Sequence, residues 1–124
     1  MSRHHGSCLC GAVTYEARGD LRPSIACHCT QCRKTSGHYW SATQVPDSDL
    51  IITEQGALTW FRSSPTAQRG FCNRCGASLF WRKDGEGATS IGSGTLDGAS
   101  GLHTAKHIHV EDKGDYYTLP ESER

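Results

Sequence analysis

At 124 residues, 35% of them hydrophobic, the chain is long enough for one domain with a real but modest core. Its 13 basic and 13 acidic residues cancel without a long run of either sign, which argues against a nucleic-acid-binding module and its basic stripe. No apolar stretch approaches the ~20 residues that span a bilayer, so no membrane association is expected.

The first six residues, Met1-Ser2-Arg3-His4-His5-Gly6, contain no apolar signal core. A cytoplasmic protein is therefore the expectation, with His4 and His5 disordered. The first cysteine pair, Cys8-Leu9-Cys10-Gly11, leads into a predicted strand over 12–17 that alternates around Val13 and Tyr15. Next comes the cluster Cys27-His28-Cys29-Thr30-Gln31-Cys32, and residues 29–36 read as a helix of barely two turns. Short strands are predicted over 39–45, 50–53, 58–61, 78–81 and 107–110, where aromatic and β-branched residues concentrate. The third cluster, Cys72-Asn73-Arg74-Cys75-Gly76, falls between two of them. Glycines gather at Gly85-Glu86-Gly87 and from Gly92 to Gly101, as turns between short strands require. The acidic tail from Glu111 is expected to fray after Tyr117.

Seven cysteines, all in clusters and none preceded by a signal peptide, read as metal ligands rather than a disulfide framework. Zinc favours four ligands in a tetrahedron, and thiolates suit it. Two cysteines on one tight turn supply half of such a site. A glycine after the second, as at Gly11 and Gly76, can take a positive φ and free nearby amides to face the sulfurs. Cys8 and Cys10 with Cys72 and Cys75 would close an all-cysteine structural site. Cys27, Cys29 and Cys32 would then form a second site with one open position, the mark of a catalytic zinc. The spacing leaves two alternatives open: closure of the second site by a histidine such as His28, or pairing of Cys8 and Cys10 with the middle cluster instead.

Other residues have two readings each. His28 is either a proton shuttle or an exposed or backbone-bonded side chain. His38, Tyr39 and Trp40 either wall a pocket or belong to the core. Arg33, Lys34, Arg69 and Arg74 lie beside the clusters, where they would receive the carboxylates of a peptide-like thiol or remain solvated. Trp60, Phe61, Phe80 and Trp81 read as core or interface. His107 and His109 would share one face of the last strand.

Three ordered motifs carry a resemblance. They are Gly6-Ser7-Cys8-Leu9-Cys10-Gly11-Ala12-Val13-x-Tyr15, Cys27-His28-Cys29-x-x-Cys32-Arg33-Lys34-x-Ser36-Gly37 and Arg69-Gly70-Phe71-Cys72-x-x-Cys75-Gly76-x-x-Leu79. Together they resemble the glutathione-dependent formaldehyde-activating enzyme family, which includes centromere protein V, over about residues 6–117. The resemblance implies a single domain over 1–124 with a β-tent fold of stacked short antiparallel sheets, mainly β with little helix. It implies two zinc ions per chain, a structural one on Cys8, Cys10, Cys72 and Cys75 and a second on Cys27, Cys29 and Cys32, the latter serving catalysis. The implied activity is that of a carbon–sulfur lyase, like S-hydroxymethylglutathione synthase, joining a small thiol such as glutathione to formaldehyde. A non-catalytic zinc-binding interaction module is the alternative, and the sequence gives no oligomeric state.

Overall fold

The computed structural model describes residues 2–120. In chain order the elements are β1 (Arg3–Ser7), β2 (Thr14–Arg18), β3 (Ser24–Cys27), α1 (Thr30–Ser36), β4 (Trp40–Pro46), β5 (Leu50–Glu54), β6 (Leu58–Ser64), β7 (Ala67–Cys72), β8 (Ser78–Lys83), β9 (Ala88–Gly92) and β10 (Thr104–Ile108). They form two sheets, one ordered β1-β2-β5 and the other β10-β3-β4-β9-β8-β7-β6. The architecture is mainly β with open sheets, as the resemblance implied. One detail differs from an all-antiparallel expectation: β10 runs parallel to β3. A parallel pair needs a long crossover, and more than seventy residues separate these two strands.

The core lies between the sheets. Along β2, Tyr15 and Ala17 point inward while Thr14, Glu16 and Arg18 stay partly exposed, following the two-residue period of a strand with one buried face. Tyr15 meets Phe80 of the larger sheet edge to face, with ring centroids 5.4 Å apart, and Val13, Val45, Leu79 and Ile91 fill in around them. Gly6 allows this close approach. A Cβ there would lie 2.2 Å from the Tyr15 ring and 2.6 Å from the carbonyl oxygen of Thr95.

Several expectations are corrected. His4 and His5 are not disordered; they belong to β1, which pairs in register with β2 from Arg3↔Arg18 to Ser7↔Thr14. Strands β3, β7 and β9 escaped the sequence reading. Apart from Ile91, their buried positions are small or polar (Ser24, Ala26, Arg69, Gly70, Thr89, Ser90 among them), so no apolar alternation marks them. The last strand ends at Ile108, and His109 adopts a left-handed conformation with φ 55, so His107 and His109 do not share a strand face. The expected fraying after Tyr117 falls mostly on residues 121–124, outside the described residues.

Candidate functional site

The turn between β1 and β2 presents Cys8 and Cys10, while the end of β7 and the turn into β8 present Cys72 and Cys75. Their four sulfurs lie within 4.8 Å of one another. The two turns belong to different sheets, so this cluster ties the sheets together. Both turns use the same backbone device. Gly11 has φ 80 and Gly76 has φ 79, which a side chain would disfavour, and amides then face sulfur. Val13 N donates to Cys8 Sγ at 3.3 Å and Arg74 N donates to Cys72 Sγ at 3.4 Å. The backbone amides of Cys10 and Ala77 hold the Cys75 thiol down to about 6. The donor set fits zinc: a Zn–S bond of about 2.3 Å in a tetrahedron sets sulfur–sulfur edges of about 3.8 Å. Cys8 to Cys10 and Cys10 to Cys72 both measure 3.7 Å.

The second cluster is local. Cys27 ends β3, Cys29 is the N-cap of α1, and Cys32 sits in the first turn of that helix, with all three sulfurs within 4.8 Å. Cys29 Sγ accepts from Cys32 N at 3.3 Å, so one sulfur caps the helix and belongs to the cluster. Gly37 closes α1 in the left-handed conformation, φ 84. Among the described residues no histidine, carboxylate or further cysteine joins this group. The alternative pairing of Cys8 and Cys10 with the middle cluster is not what the fold brings together.

Arg69 is neither a free carboxylate receiver nor a solvated charge. It is buried on β7, donates through Nε to Gln31 Oε1 at 2.8 Å and through Nη2 to Cys32 Sγ at 3.4 Å, and lies 5.6 Å from the Trp40 ring centroid. The Cys27 thiol first, and then the Arg69 guanidinium, hold Cys32 down to about 5. Cys27 is correspondingly pushed up, by sharing its proton with Cys32 and by burial. This pocket therefore already favours a sulfur anion.

Above the three cysteines opens a cleft of about 580 Å³. Trp40 and Trp81 line it, with Gln31, Gln44, Arg22 and Lys83 among its polar groups. The pocket-wall reading thus holds for Trp40, whereas Tyr39 packs on His28 instead. Arg22 and Lys83 were missed in the sequence because neither belongs to a cysteine motif. Beyond β3 the sheet continues through β4, β9 and β8, which brings Lys83 to the cleft, while Arg22, just before β3, donates to the Ala42 carbonyl of β4 at 3.0 Å. Arg33, Lys34 and Arg74 do not line the cleft, and Arg74 is exposed on the β7–β8 turn. Phe80 is core, Trp60 stacks on it at 6.1 Å, and Phe61 is exposed.

His28 departs from both of its sequence readings. Its side chain is 0% exposed, and its ring nitrogens meet Tyr117 Oη and His107 Nδ1 (the latter at 2.8 Å), so it faces away from the cleft. Burial, and then the nearby His107, lower its pKa. A neutral ring enclosed in this way is not placed to shuttle protons for the cysteines.

The chain is similar to known proteins along most of its length. Residues 3–112 match the family described as glutathione-dependent formaldehyde-activating enzyme. An uncharacterized lyase of Schizosaccharomyces pombe is 27% identical over 121 residues, covering 94% of this chain and 85% of that protein. The crystal structure of a Rhodobacter sphaeroides protein superposes with a TM-score of 0.63 at 27% identity, covering 78% of this chain and 91% of that one.

Proposed function

This chain belongs to the glutathione-dependent formaldehyde-activating enzyme family, and from that premise we propose a zinc-dependent carbon–sulfur lyase-like enzyme acting on a small thiol. The reaction is formation or cleavage of the S-hydroxymethyl adduct between a glutathione-like thiol and formaldehyde. In the forward direction the thiol sulfur bonds to the carbonyl carbon, and the proton the thiol loses ends on the carbonyl oxygen. No electrons are exchanged with another reactant.

One observation carries the reading: three sulfurs at an open cleft, with no fourth ligand from the described residues. Cys27, Cys29 and Cys32 would hold the second zinc, and Cys8, Cys10, Cys72 and Cys75 the structural one. Zinc bound by three thiolates would favour the deprotonated form of an entering thiol at neutral pH, where a free thiol of pKa ~8.5 is mostly protonated. The protein's own groups do the rest. Arg69 offsets negative charge at Cys32 without leaving the wall of the cleft. Trp40 and Trp81 exclude water from one side and provide flat apolar surface for a thiol's carbon chain. Arg22 and Lys83 would receive the carboxylates of a peptide-like thiol. Holding thiol and aldehyde together in a near-attack geometry is the main catalytic contribution, since the uncatalysed addition is itself facile. A reducing, cytoplasmic setting suits seven unpaired thiols.

Cobalt substitution tests the proposal. Glutathione added to the cobalt-loaded chain at neutral pH should intensify the sulfur-to-metal charge-transfer band, and formaldehyde should then alter it. Cys32→Ala should abolish the response while the four-cysteine site stays loaded. Loading of both sites with no response to any thiol would refute the enzyme reading in favour of a non-catalytic zinc-binding module.

A further inference from the structure

The peptide between the first two cysteines of the open cluster is held from behind by the C-terminal tail. His28 stands between Cys27 and Cys29, and its fully buried ring is bonded at both nitrogens, to Tyr117 Oη and to His107 Nδ1. The bonding is consistent as a chain in which Tyr117 O–H donates to Nδ1 and Nε2–H donates to His107. The Tyr117 ring stacks on His28 with centroids 5.4 Å apart and planes at 25°, and Tyr39 packs at 4.9 Å. The His28 amide donates to the Ile108 carbonyl at 3.0 Å, so β10 grips the backbone while its His107 grips the ring. The tail is itself folded for this contact. Lys113 Nζ donates to the carbonyls of Gly114 and Tyr117 at 2.7 and 2.6 Å and lies 4.6 Å from the Tyr117 ring centroid. Gly114 is buried, and a Cβ there would fall 2.3 Å from the Tyr116 ring.

We propose that Tyr117 and His107 are positioning residues for the open cluster, acting through His28 to fix where Cys27 and Cys29 present their sulfurs. Tyr117 lies beyond residues 3–112, the span matched by the family, whereas His28 and His107 lie within it. Loss of a buried partner that orients a ligand residue typically costs about 10–100-fold in metal affinity. Here the partner orients the residue between two ligands. The consequence for metal rests on the reading that this cluster binds zinc; the consequence for the backbone does not.

The test uses the full zinc-loaded chain and its Tyr117→Phe and His107→Ala variants. Tyr117→Phe keeps the stack and removes only the hydroxyl. Zinc release to a chromophoric chelator should show two phases, of which the faster is the one lost in Cys32→Ala. In both variants that phase should accelerate about tenfold, the slower phase should hold, and the cobalt ligand-field bands of the open cluster should shift. Amide exchange at His28 should accelerate in parallel, with the β7–β8 turn unchanged. Unaltered exchange at His28 would overturn the latch, as would equal acceleration of both zinc phases. A chain binding a single zinc refutes the functional proposal, and the exchange rate at His28 in the same samples still decides the latch.

Discussion

Cys10→Ser and Cys29→Ser each remove one sulfur with almost no packing loss, yet they should differ sharply in stability. Cys10 is exposed, and Cys29 is a helix N-cap whose bond from Cys32 N a serine hydroxyl can accept equally well. What differs is the length of chain each cluster closes. Cys10 and Cys72 are 62 positions apart and belong to different sheets, so cross-linking them removes about 4 kcal/mol of chain entropy from the unfolded state on the loop-closure relation. Cys27 to Cys32 spans five positions, for which the same relation gives only about 2 kcal/mol, part of it already supplied by strand pairing and the first turn of α1. For a chain of this size about 1 kcal/mol corresponds to roughly 3–6 °C. Cys10→Ser should therefore lower the melting temperature by about 12–24 °C, and Cys29→Ser by at most half as much. Calorimetry with metal analysis on the same samples checks both numbers. Equal losses, or a larger loss for Cys29→Ser with the four-cysteine site still loaded, would refute the argument that the first cluster staples two sheets while the second decorates one.

Other outcomes follow from single side chains. Tyr15 is pushed up to about 12, chiefly by burial. Against an unfolded value of about 10, its neutral form stabilises the fold fully below pH 10, and about 2–3 kcal/mol is lost as pH rises from 10 to 12. Tyr15→Phe should flatten that alkaline limb in pH-dependent urea unfolding. Gly6→Ala sets a methyl group against the Tyr15 ring and a backbone carbonyl and should cost about 1–3 kcal/mol by chemical denaturation. Arg69→Met leaves Gln31 and Cys32 without their donor, which should cost about 1.5–3 kcal/mol in the same assay and weaken zinc retention at the open cluster first. Lys83→Ala should raise KM for glutathione about three- to tenfold with little change in kcat, and leave an uncharged thiol unaffected.

Much was settled by residue order alone. Three cysteine motifs with their glycines identified the family, because thiolates on tight turns need a positive-φ glycine at a fixed offset, and Gly11 and Gly76 adopt that conformation. The short helix was legible because Cys29 and Gly37 cap it at both ends. The β-rich class followed from the aromatic and β-branched runs that became β2, β4, β5, β6 and β8. What only the tertiary structure decided lies where strands are chosen by their neighbours rather than by their own pattern. Strand β7 carries Arg69 and Gly70 through the sheet interior, and a buried charge is tolerable there only because Gln31, Cys32 and Trp40, from other elements, surround it. Lys83 reaches the cleft through sheet order, and Arg22 is held at it by the Ala42 carbonyl of β4. His28 looked like part of the metal chemistry since it stands between two proposed ligands. Successive side chains of extended backbone point to opposite faces, so it turned the other way, toward a tail 89 positions later in the chain.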